Sequence, residues 1–69
     1  MKFYLIQDSA GWTSPQLFRK IDSATYIARY LVQNVRNGDS YYVDILEIDS
    51  EQETVSQYAR LNENTLFDS

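Results

Sequence analysis

The chain predicts an α+β fold: a small antiparallel sheet of three to four strands with one helix packed across one face. Three observations point there. Residues 21–38 place apolar side chains at helical spacing between a start signal and a stop signal. Residues 3–7 and 41–49 are short runs rich in aromatic and β-branched residues, the composition of strands. The length of 69 residues, with no Cys, allows one core and no disulfide to reinforce it, so residues 1–69 are expected to form a single compact domain.

The first run, Phe3-Tyr4-Leu5-Ile6-Gln7, is read as a strand central to the sheet. Asp8-Ser9-Ala10-Gly11 is turn chemistry. Two readings compete for the next stretch. Ser14 as N-cap with Pro15 at the first helical position would open a short helix through Leu17, Phe18 and Ile21. Alternatively, residues 16–21 form a second strand, hairpinned to the first. The strand is preferred, because Ile21 then leads directly into the main helix, giving a ββαββ order.

The helix is expected over about residues 22–37. Asp22 can cap it, its carboxylate accepting from the unpaired N–H groups of the first turn. Ile21 and Tyr26 then have the spacing of a hydrophobic staple. Ala24, Ile27, Ala28, Leu31 and Val35 draw the apolar stripe, with Thr25, Arg29, Gln33 and Arg36 opposite. Asn37-Gly38 ends the helix, since glycine accepts the left-handed conformation of a C-terminal cap.

Residues 41–49 are the strongest strand signal. Tyr41, Val43 and Ile45 fall on one face and Tyr42, Leu46 and Ile48 on the other. The alternation loses phase between Asp44 and Glu47, as a bulge or a strand apolar on both sides would make it do. Asp49-Ser50-Glu51-Gln52-Glu53 is a polar hairpin loop or, from the capping-box spacing of Ser50 and Glu53, a helix start. The pair Thr54-Val55 favours a hairpin. In that strand Val55, Ala59 and Leu61 alternate with Thr54, Ser56, Tyr58 and Arg60. Residues 62–69 have little pattern, though Leu66 and Phe67 could serve as an apolar anchor.

Composition narrows the function classes. With neither His nor Cys, the commonest general base and the strongest nucleophile are missing, so no enzymatic activity is expected. Asp49, Glu51 and Glu53 alternate as oxygen ligands could, yet lack the glycine turn and spacing of a calcium loop. A solvated acidic loop accounts for them better, and no metal or cofactor is implied. No run is long and apolar enough to span a membrane, and the N-terminal residues do not resemble a signal peptide, so a cytoplasmic location is expected.

Charge is unevenly spread. Residues 1–36 hold Lys2, Arg19, Lys20, Arg29 and Arg36 against Asp8 and Asp22, a net of +3. Residues 37–69 hold Arg60 against Asp39, Asp44, Glu47, Asp49, Glu51, Glu53, Glu63 and Asp68, a net of −7. The leading expectation is a protein-binding module. Tyr41, Tyr42, Asp44, Glu47, Asp49, Glu51, Glu53 and Tyr58 would present an anionic, tyrosine-rich surface to a basic partner. If that partner handles nucleic acid, the surface would act as a phosphate mimic, steering association by charge. Small size, acidity and aromatic content are shared with compact inhibitors of phages and mobile elements, an analogy of class only. Two alternatives stand beside it. Arg19, Lys20, Arg29 and Arg36 could bind nucleic acid, against which a sequence pI near 4.4 weighs. An open strand edge could form a homodimer.

Overall fold

In the computed structural model, which describes residues 1–34 and 41–62, the chain runs β1 (Lys2–Asp8), α1 (Ile21–Asn34), β2 (Val43–Asp49) and β3 (Thr54–Leu61). The fold is α+β. The strands form one antiparallel sheet in the order β1-β2-β3, with the helix inserted between β1 and β2. The order is therefore βαββ.

The expected second strand over residues 16–21 does not form. Its chain does return alongside β1, but touches it at two isolated bridges, Gln7 with Thr13 and Tyr4 with Phe18. Between those bridges β1 advances from residue 4 to 7 while the returning chain advances from 13 to 18, so the ladders cannot stay in step. Pro15 has no N–H to give to a ladder. Ser14 does the work instead. Its backbone N–H donates to the Ile6 carbonyl at 2.8 Å, and its Oγ accepts the Ile6 N–H at 3.2 Å. That hydroxyl also donates to the Gln16 carbonyl at 3.0 Å. Neither the short helix nor the N-cap role for Ser14 is present.

The reversal before this segment is organised by Asp8. Its Oδ1 accepts the N–H groups of Ala10 at 3.0 Å and Trp12 at 2.8 Å, and Gly11 supplies a φ of 96° that a side chain would resist. Its Oδ2 accepts the Tyr41 hydroxyl at 3.0 Å, tying the turn to the entry of β2.

The helix begins one residue earlier than expected. Asp22 lies inside its first turn rather than capping it, still favourably placed at the positive end of the dipole. The staple is also absent, since Tyr26 is 71% exposed. Ala24, Ala28 and Val32 are the buried stripe, with Ile21, Ile27 and Leu31 packed partly buried beside it. Thr25 is half-buried rather than fully solvent-facing. Val35, Arg36 and the Asn37-Gly38 stop signal lie outside the described residues, as do Leu66 and Phe67.

Beneath the helix the sheet contributes Ile6, Val43, Ile45 and Leu61, all buried, with Tyr41 completing the core. Two alanines at 0% exposure on α1 let helix and sheet backbones approach closely. Strand alternation puts Tyr4 and Ile6 on this face of β1, and Val43, Ile45, Glu47 and Asp49 on this face of β2. The hydrophobic core covers only the half of the face around Ile6 and Ile45, and the Glu47–Asp49 end is polar.

The phase loss seen in β2 has its counterpart in β3. Ile45 pairs with Ala59 but Leu46 pairs with Gln57, so the extra residue of the bulge is Tyr58, on the neighbouring strand. The opposite sheet face carries Phe3 beside Ile48 and Val55, then Leu5 beside Leu46. No described element covers it. The β2–β3 connection is the hairpin, not a C-terminal helix. Asp49 Oδ1 accepts the N–H groups of Glu51 at 3.0 Å and Gln52 at 3.3 Å, and Glu53 turns the corner with φ 55°.

Candidate functional site

The eight residues expected to share an anionic surface separate into two groups. Tyr41 is 6% exposed, and burial together with its hydrogen bond to Asp8 pushes its phenol up to about 12. Asp44 is 5% exposed and takes both arms of the Arg60 guanidinium, Nε to Oδ1 at 2.7 Å and Nη2 to Oδ2 at 3.1 Å. The hydrogen bond to Asp44 raises the Arg60 pKa, so the cation is held. Arg60 also stacks over the Tyr42 ring, 3.9 Å from its centroid. Tyr41, Tyr42 and Asp44 thus brace the fold and offer no free charge.

The other five residues lie towards the opposite end of the sheet. Glu47 and Asp49 finish β2, Glu51 and Glu53 form the turn, and Tyr58 projects from the bulge of β3. Lys2 Nζ meets Glu47 Oε1 at 3.3 Å, and this contact raises the Lys2 pKa. The N-terminal ammonium meets Glu51 Oε1 at 3.5 Å, while the Glu51 side chain stays 83% exposed. Tyr58 is 52% exposed and meets Tyr4 edge-on, centroids 5.7 Å apart at 79°. Tyr58, the unpaired residue of the bulge, thus lies on the face that Tyr4 shares.

Cations sort by layer. Among the described residues, Lys2 and Arg60 are spent on sheet carboxylates. Arg19, Lys20 and Arg29 are exposed and form no ion pair with a described residue. Arg36 lies outside the described residues.

A second aromatic cluster escaped the sequence reading. Tyr26, Arg29, Tyr30 and Gln33 line a shallow cleft of about 190 Å³ on the outer face of α1. The signal was available: these four positions recur at three- and four-residue steps opposite the alanines. Assigning Tyr26 to a staple hid it.

Among the described residues, no group of three or more His, Cys, Asp or Glu side chains is placed to hold a metal ion. No described helix is long and apolar enough to cross a membrane. Compared with protein-family models, curated proteins and solved structures, the chain finds no match.

Proposed function

We propose that the protein is a non-enzymatic, cytoplasmic protein-binding module that offers the acidic end of its β2–β3 hairpin to a partner with a basic surface. The partner we favour is a nucleic-acid-handling protein, blocked in the manner of the compact inhibitors that phages and mobile elements encode. One observation carries the reading: Glu51 and Glu53 stand exposed on the turn, beside Glu47 and Asp49, with half-exposed Tyr58 on the adjoining strand. The ion pairs that touch this end, Lys2 with Glu47 and the N-terminus with Glu51, involve exposed cations. Such pairs contribute little individually, so a partner's guanidinium groups can displace them. Tyr58 would then supply the apolar anchor that a charged rim lacks.

The test is capture from host lysate on the immobilised protein at low and high salt, in parallel with Glu51→Lys/Glu53→Lys. Recovery of a basic protein that is lost with salt and with the double variant is the expected result. Equal capture by both forms, or recovery of nucleic acid alone, overturns the reading.

A homodimer is the second reading, favoured by the position of β3. Residues 12–18 shield the outer edge of β1, while no described strand pairs with the outer edge of β3. Sedimentation over a concentration series tests it, and a monomer throughout dismisses it.

A further inference from the structure

We propose that the outer face of α1 is a stacking platform for single-stranded nucleic acid, a site separate from the acidic hairpin end. The helix is built with two faces of different use. Ala24, Ala28 and Val32 turn inward, and the positions opposite carry Tyr26 at 71% and Tyr30 at 55% exposure. Rings this exposed contribute little to the core, and two of them one helical turn apart offer neighbouring π-faces. Arg29 and Gln33 complete the cleft between them. The guanidinium is free of any described carboxylate, so it can meet a phosphate or stack on a base.

The charge distribution selects the ligand. Arg19 and Lys20 precede the helix and Arg29 lies on it. These three are the described Lys and Arg side chains without an ion pair. The sheet carboxylates Asp44 and Glu47 are answered by Arg60 and Lys2, so the overall acidity is partly neutralised where it arises. Cations that flank exposed aromatic rings are the recognition chemistry of unpaired strands, whose bases leave the stack to lie on tyrosine. A duplex keeps its bases stacked internally and gains only the phosphate contacts, which distinguishes the two.

The experiment is fluorescence anisotropy with a labelled oligothymidylate of about ten nucleotides, a length within the span of small single-strand sites. The same measurement is made on a duplex of equal length, with Tyr26→Ala/Tyr30→Ala, and with Arg29→Glu. All three side chains are exposed, and circular dichroism verifies that each variant folds. The wild type should bind the single strand more tightly than the duplex, and the double tyrosine variant should lose at least about thirtyfold, the low end expected for removing two stacked bases. Contacts to about three phosphates predict roughly a twentyfold loss between 50 and 200 mM salt. No binding at the lower salt, equal affinity for duplex, or wild-type affinity in the folded double tyrosine variant would overturn the proposal. Because no protein partner is present, failure here leaves the hairpin-end reading standing, and the reverse holds too.

Discussion

Ser14→Ala should destabilise the domain far more than an exposed serine would. The hydroxyl is the acceptor for the Ile6 N–H, on a residue at 0% exposure, and it donates onward to the Gln16 carbonyl. Removing it leaves a buried donor without a partner, which costs about 1–3 kcal/mol. A domain of this length has roughly 3–10 kcal/mol of stability in total, so the loss is a large fraction. With a urea dependence near 1 kcal/mol per molar for so small a chain, the midpoint should fall by about 2 M. Hydrogen exchange adds a local readout, because the Ile6 amide should lose at least about fivefold in protection. A midpoint within about 0.3 M of wild type, or an Ile6 amide as protected as before, would refute the argument that this hydroxyl pins residues 12–18 to β1.

Three further outcomes are expected. The folded Tyr41 phenol titrates at about 12, above the ordinary tyrosine value near 10, so the unfolded chain loses that proton first as pH rises. Stability from this group is complete below pH about 10 and is lost between about 10 and 12; urea melts should show that decline in the wild type and a smaller one in Tyr41→Phe, which starts about 1 kcal/mol lower at neutral pH. Ala28→Leu forces a larger side chain into a fully buried position of the core and should lower Tm on the order of 10 °C, whereas an unchanged Tm would mean the interface has slack. Glu53→Gly relieves the left-handed backbone at φ 55° and should raise stability by up to about 1 kcal/mol, net of glycine's greater freedom when unfolded. A urea midpoint below wild type would contradict it.

The elements that sequence reasoning located are those with a period. The helix showed itself through three- and four-residue spacing, and β1, β2 and β3 through strand composition. Residues 12–18 have no such period, because their attachment runs through single contacts, a serine hydroxyl and two bridges, at separations that composition does not encode. Asp8 is the same case: a residue read as generic turn chemistry satisfies two amides and a tyrosine thirty-three positions away.

At the candidate site, Glu47, Asp49, Glu51, Glu53 and Tyr58 were gathered by their nearness in sequence, and the hairpin keeps them near in space. Asp44 was misjudged as surface charge for a definite reason. Uninterrupted alternation puts Arg60 on the side of Tyr58 and away from Val55, where no bond to Asp44 follows. In the folded chain Arg60 lies opposite Asp44 on Val55's side, since the register shifts between Ile45 and Leu46. Tyr26 and Tyr30 needed no tertiary knowledge, only attention to the helix face that the core does not use.

The single supernumerary residue in β3 lets the two ends of that strand face the sheet with opposite parity. Before it, odd-numbered side chains point away from the helix; after it, even-numbered ones do, so Leu61 reaches the interior and Arg60 stays outside. Excising Tyr58 would join Gln57 to Ala59 in an unbroken ladder, with Arg60 still opposite Asp44 and Leu61 still opposite Val43. Losing the spare residue would therefore cost the Tyr4–Tyr58 ring contact while sparing the register.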